Sequence, residues 1–215
     1  MKDKICYFCG IQGADTREEI PPRCFFPKGH TESIIKIPAH MKCNQAWQGS
    51  IEYARNLFCG INTSNCLARD LFSTKVIRSL RRNPPLRLQM LKDLRENIEL
   101  YSPGGIYLRS TPGICINTNL LDQFISHVIR GLYFHHTGQP LPKGINVTWQ
   151  VQQDHPGPER LWFTRLPITI VHPAIFRYRH IILGDNPGWS AWVLGFYELN
   201  TCTVLAVTGK DRQNA

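Results

Sequence analysis

The spacing of apolar positions along this chain predicts short strands first, then helices, then a β-rich remainder. Residues 5–9 and 33–38 (Ser-Ile-Ile-Lys-Ile-Pro) are apolar, β-branched runs bounded by Gly or Pro, and they read as strands. The connection between them is rich in Pro and Gly, from Pro21-Pro22 to Pro27-Lys28-Gly29. Trp47, Ile51 and the Tyr53-Ala54 pair recur at helical spacing and predict a helix from Asn44 towards Phe58. Gly49 weakens that helix by about 1 kcal/mol relative to Ala.

Residues 67–99 predict helix with a break at Pro84-Pro85, the second half carrying Leu86, Leu88, Leu91, Leu94 and Ile98 on one face. Pro103-Gly104-Gly105 predicts a turn. The clearest helix is 119–136, where Leu121, Phe124, Ile125, Val128, Ile129 and Leu132 trace a buried stripe. Thr137-Gly138 and Pro140 end it. Beyond it, 145–151, 161–171, 176–183, 190–198 and 201–207 read as strands, with turns at Pro156-Gly157 and Asn186-Pro187-Gly188. The expected class is therefore α+β: a small N-terminal module (1–58), a basic helical connector (59–102) and an α+β C-terminal domain (103–215).

Composition leaves that picture intact and charge sharpens it. Hydrophobic residues are 42% and charged residues 19%, ordinary for a globular chain. No run of about 18 uncharged apolar residues offers a membrane span. Met1-Lys2-Asp3-Lys4 leads into Ile5-Cys6 without the apolar stretch of a secretory signal, so a cytoplasmic chain is expected. The net charge of +9 is uneven: residues 1–58 carry eight Lys/Arg against six Asp/Glu, and residues 69–95 carry eight against two. Such a basic segment suits a polyanion, with Arg78, Arg81, Arg82 and Arg87 as candidate phosphate contacts. A solvated helix face accounts for the charge equally well.

Cys6-Tyr-Phe-Cys9-Gly10 and His40-Met-Lys-Cys43 are two pairs at two-residue spacing, separated by a loop. Three thiolates and one imidazole make the closed tetrahedral set of a structural Zn²⁺ site. A lone C-x2-C would also suit a redox pair; the second pair argues against that. Cys24 has no partner at such spacing, and Cys59, Cys66, Cys115 and Cys202 are scattered, as expected of reduced thiols.

Between and after these pairs stand Thr16-Arg-Glu-Glu-Ile-Pro-Pro-Arg-Cys-Phe-Phe-Pro-Lys28, Ile37-Pro-Ala-His-Met-Lys-Cys-Asn44 and Ser50-Ile-Glu-Tyr53. This order resembles a group of bacterial HNH endonucleases, of pattern C-x2-C-G, T-x-E-H-I/V-P-P-x-x-x-F-P, V-P-A-C-x2-C-N and S-x-E-Y. The resemblance covers 5–58, and Gly131-Leu-Tyr-Phe-His-His-Thr-Gly138 is similar to a phrase in the second domain of the same proteins. It implies a zinc-stapled ββα-metal module. In that family the position of Glu18 helps hold a catalytic divalent ion, and Asn44 matches a second ligand on the helix. Carboxylate and carboxamide oxygens suit Mg²⁺ or Mn²⁺.

The departure is Glu19, which stands where the family has the histidine that takes a proton from water. Imidazole, of pKa about 6.5, is matched to that task, and a carboxylate of about 4.3 is not. Three readings stay open: an inactive relative, an active enzyme that uses Glu19 as an extra ligand, or a chain whose base has been exchanged. His40 also departs, since Cys is the commoner residue there. His30 reads as a surface residue. His135-His136 reads as a helix end favoured by the dipole, or as a second metal site. Trp149, Trp162, Trp189 and Trp192 read as core of the β-rich part.

The functional expectation is a metal-dependent endonuclease acting on DNA, of the kind found in anti-phage or restriction systems and impaired by Glu19. A protein partner would meet the C-terminal domain, and no membrane is involved. The alternative is a non-catalytic zinc-containing module that binds nucleic acid or supports assembly.

Overall fold

The computed structural model describes residues 4–31, 33–152, 165–197 and 203–209, and its elements make an α+β protein. Strand β1 (Thr16–Ile20) pairs antiparallel with β2 (Ile35–Ala39), Glu18 opposite Ile37 and Glu19 opposite Lys36. Burial alternates along β1, so Glu18 and Ile20 face inward while Arg17 stays exposed. Residues 5–9, expected as a strand, are instead a turn in which only Ile5 pairs, in an isolated bridge to Gln12. Gly10, at φ +74°, folds the chain back there, and its N–H reaches the Cys6 carbonyl at 3.0 Å. The left-handed conformation favours glycine.

The expected helix from Asn44 is two helices, α1 (Met41–Gln45) and α2 (Gln48–Ile61), separated at Ala46-Trp47. Next come α3 (Cys66–Leu71), a π-helical turn at Phe72–Val76, α4 (Ile77–Arg82) and α5 (Pro84–Asp93). The break at Pro84 is a helix start: Asn83 caps it by accepting from the Leu86 N–H, and a proline in the first turn has no N–H to leave orphaned. Helix does not continue to residue 99. Leu94–Tyr101 is β3, paired through the turn at Ser102–Gly105 with β4 (Tyr107–Ile114). Of the leucines expected on one apolar helix face, only Leu86 is buried; Leu88 and Leu91 of α5 are exposed, and so is Leu94, which opens β3.

Helix α6 (Thr118–Thr137) begins at Asn117, whose side chain accepts from the Leu120 N–H, and ends at Gly138 with φ +69°. It is followed by an antiparallel sheet of β5 (Asn146–Gln152), β6 (Thr169–His172), β7 (Phe176–Ile182), β8 (Ser190–Phe196) and β9 (Thr203–Gly209). Its order is β5-β9-β8-β7-β6. Pro156-Gly157, Trp162 and Cys202 lie outside the described residues. Trp192 is core, whereas Trp149 is half-buried and Trp189 is exposed at the β7–β8 turn. His136 does not act as a cation at the helix end. Burial, then His180 and His135, lower its pKa to about 4, and its Nε2 lies 2.8 Å from the Tyr178 hydroxyl.

One hydrophobic core runs through all three expected segments. Phe25, in the β1–β2 connection, stacks on Phe124 of α6 at 5.2 Å, and Phe58 of α2 stacks on Phe196 of β8 at 4.9 Å. The β1–β2 hairpin lies on α6 at Gly131. A Cβ there would fall 2.5 Å from Ile20 Cδ1 and 3.1 Å from Ile37 Cδ1.

Two effects oppose each other at Gly131→Ala. Helix propensity favours Ala by about 1 kcal/mol, while overpacking a closed core costs about 1–3 kcal/mol. Ile20 is fully buried and has no room to yield, so the variant should unfold at lower temperature and lower urea concentration. A higher melting temperature would show that the helix and hairpin are not held at this approach.

Candidate metal centre and the strand above it

Cys6, Cys9, His40 and Cys43 converge so that their ligand atoms all lie within 4.8 Å of one another. Four tetrahedral ligands about 2.0–2.3 Å from a central Zn²⁺ stand about 3.3–3.8 Å apart, within that bound. Three separate pieces of chain bring them together. The turn at Gly10 aims the first two sulfurs, and the Tyr7 N–H donates to the Pro38 carbonyl at 3.0 Å, fastening that turn to β2. His40 is the N-cap of α1, and Cys43 follows within the first turn. Asp15 accepts from the Met41 N–H at 2.8 Å, which satisfies one orphan donor of that helix and fixes its start.

The imidazole of His40 is held in the tautomer that a ligand needs. Its Nε2 lies 3.2 Å from the Gln12 carbonyl, which can only accept, so Nε2 carries the proton. Nδ1 then presents its lone pair to the cluster, 3.3 Å from Cys9 Sγ. An outer carbonyl that orients a histidine is the usual support of a metal ligand.

The sulfurs stand close enough to shift one another's ionisation. Burial, then the neighbouring Cys6 and Cys9 sulfurs, push the Cys43 thiol up to about 12. Burial also raises Cys6, but the backbone amides of Cys9, His40 and Phe8 outweigh it and leave that thiol below its ordinary value. The tetrad is thus a preformed Cys3His set, compatible with structural zinc. Cys24 stays out of it, half-buried elsewhere, with desolvation pushing its thiol up to about 11.

A buried polar chain lies under β1. Glu18 is 4% exposed and its Oε1 lies 3.6 Å from Nε2 of the fully buried His127 on α6. Tyr7, between the first two cysteines, has its hydroxyl 2.8 Å from His127 Nδ1. Burial, then Glu18, hold that phenol well above its ordinary pKa, so the hydroxyl stays protonated. Glu18 Oε2, His127 Nε2 and Trp47 Nε1 have no hydrogen-bond partner. Buried groups left unpaired in this way cost about 1–3 kcal/mol each, so the interface between hairpin and helix is polar at a cost to packing.

The expected site residues are only partly brought together. Glu19, half-buried, alternates to the face opposite Glu18. Asn44 on α1 donates from Nδ2 to the Arg17 carbonyl at 3.2 Å, next to Glu18 in the chain, and keeps its Oδ1 for another partner. His30 lies 3.1 Å from His172 in an exposed pair. Arg78, Arg81, Arg82 and Arg87 are all exposed. Arg78 and Arg82 line one polar hollow, and Arg87 borders a largely apolar one. Sequence reasoning missed His127 and Tyr7. The one available signal was a histidine three residues after Phe124 and four before Gly131, on the buried stripe.

Comparison with protein-family models, with curated proteins and with solved structures gave no match to this chain.

The tetrad predicts close to one zinc ion per chain in purified protein. Cys43→Ser should lose the metal and lower the melting temperature sharply, because such ions contribute about 10 kcal/mol of folding free energy in small modules. Metal analysis of folded protein that finds neither zinc nor another bound cation would remove this assignment.

Proposed function

We propose that this chain is an HNH-type endonuclease, a phosphodiester hydrolase acting on DNA, whose catalytic step is impaired by Glu19. The observation that carries the reading is one of arrangement. An antiparallel β1–β2 pair runs straight into helix α1, pinned by a Cys3His tetrad, with Glu18 and Glu19 on the first strand and Asn44 on the helix. Zinc in the tetrad would be structural, since four protein ligands leave no open position. A Mg²⁺ or Mn²⁺ ion would be held by Glu18 and the free Oδ1 of Asn44, and would supply charge stabilisation for the phosphorane and the leaving 3′ oxygen.

The chain's own residues set the terms for that chemistry. The Asn44–Arg17 hydrogen bond orients the carboxamide beside the strand. Glu18 has to leave its contact with His127 before it can reach an ion, because it is sealed against α6. At position 19 a carboxylate takes a proton from water weakly and repels an approaching phosphodiester. An anti-phage or restriction role is the setting that fits such a nuclease.

The second reading is a non-catalytic module that keeps the metal-pinned fold to bind nucleic acid. Two observations favour it: Glu19 itself, and the sealed Glu18. Plasmid cleavage with Mg²⁺ or Mn²⁺ separates the two. The chain as it stands should cut poorly or not at all, since a missing general base costs roughly 10²–10⁴-fold. Glu19→His should restore divalent-dependent cutting, and Asn44→Ala added to it should abolish cutting again. A Glu19→His variant that is folded, metal-loaded and still inert would leave the binding module as the reading. Efficient cutting by the unaltered chain would remove position 19 as the site of the base.

A further inference from the structure

The basic stretch seen in the sequence does not act as a single face. Arg78 and Arg82 sit one turn apart on α4 and join two cations from other elements, Arg55 of α2 and Lys75 of the π-helical turn. Together with Glu52 and Ser79 they line a concave hollow of about 270 Å³. Arg81, between them in sequence, does not line it, and Arg87 borders a different hollow.

The hollow holds far more positive charge than its walls can neutralise. Glu52 is its one carboxylate, and both oxygens are occupied: Oε1 accepts from the Ser79 hydroxyl, and Oε2 from Asn83 Nδ2 at 3.2 Å. Arg55 approaches Glu52 only to 3.9 Å and directs its Nε and Nη2 to the Asn56 side chain. Lys75 gives one bond to a neutral partner, the Phe26 carbonyl at 2.9 Å. Burial is the main cause that lowers its pKa; the Arg55 and Arg23 guanidiniums add to it, against an opposing effect of the nearby Cys24 thiol. Like charges four residues apart on a helix, as Arg78 and Arg82 are, also disfavour each other. An anion in the hollow would relieve all of these contacts at once.

We infer that Arg55, Lys75, Arg78 and Arg82 form a phosphate-binding pocket that takes one backbone phosphate of a nucleic acid strand. Guanidinium forks match the oxygens of phosphate in pairs, and an ammonium adds a point charge with free donors. The pocket is joined to the proposed catalytic strand through the chain itself. Lys75 grips Phe26, and Arg23 lies three residues beyond the last residue of β1. A phosphate here is therefore held at one hollow tied to the β1–β2 connection through Lys75, not along the whole of residues 69–95. The phosphate site rests on charge and shape alone; its nucleic acid source rests on the function proposed above.

The test compares two double variants with the same loss of charge, without divalent ion so that cleavage does not enter. Binding of a labelled DNA duplex is followed by anisotropy across a salt series. Arg78→Gln/Arg82→Gln should weaken binding about tenfold or more and reduce the slope of log K against log salt by roughly one. Arg81→Gln/Arg87→Gln should leave that slope unchanged. In a second arm, inorganic phosphate at constant ionic strength should raise the melting temperature of the unaltered chain and not that of the Arg78/Arg82 variant. Equal losses in the two double variants, with no phosphate effect on melting, would overturn the pocket. A phosphate effect that depends on Arg78 and Arg82, alongside an unchanged DNA slope, would keep the pocket and overturn the nucleic acid as its ligand. All four substituted arginines are exposed, and the unliganded melting temperature verifies that each variant folds.

Discussion

A two-stranded hairpin has two faces and no partner for either, and such a unit is marginal in water by itself. The function proposed for this chain hangs on the way β1–β2 escapes that limit. One face of the hairpin is closed by α6, which comes near enough to press Ile20 and Ile37 into the gap left by Gly131. The strand ends are pinned separately. Tyr7 ties the Cys6–Cys9 turn to β2 through the Pro38 carbonyl, and the tetrad draws that turn against the start of α1. Position and orientation of Glu18, Glu19 and Asn44 follow from these two attachments. A loosened helix or an unpinned turn would displace all three together.

The polar side chains caught inside this arrangement explain why it is not simply a hydrophobic seam. Strand alternation obliges Glu18 to face the same way as Ile20, so a carboxylate enters the interface with α6 whether or not it is welcome there. His127 and Tyr7 answer it with an imidazole and a phenol in line. The answer is incomplete, since the Glu18–His127 separation of 3.6 Å is long for a hydrogen bond and Glu18 Oε2 has no partner. Local conflict of this kind is expected where a residue is kept for chemistry in preference to packing.

What could be read from the chain divides by how local the signal is. The tetrad was legible because a C-x2-C turn and the His40–Cys43 pair announce themselves within a few residues, and α6 because its apolar stripe runs from Leu121 to Leu132, about three turns. β3 was not legible: Leu94 and Ile98 continue the helical spacing of Leu91 in α5, and the pairing with β4 that makes them strand lies beyond a turn. Residues 5–9 misled for the opposite reason, since an apolar run was bent into the turn that carries Cys6 and Cys9 of the tetrad. The arginines of 69–95 illustrate a third limit. Their count suggested one basic face, but Arg55 and Lys75 are what turn two of them into a pocket, and no spacing rule links residues that far apart.

The floor of the hairpin lies nearly a hundred residues downstream of the strands it supports. A chain emerging from the ribosome presents Cys6, Cys9, His40 and Cys43 early, so the tetrad can close around an ion while α6 is still unmade. Until residue 137 is free, Ile20 and Ile37 have nothing to lie on, and Glu18 has no His127 to meet. Domains usually complete themselves in the order of synthesis. Here the N-terminal part is obliged to wait, so a nascent or truncated chain could gather the four ligands of the tetrad without having the strand geometry that the proposed reaction requires.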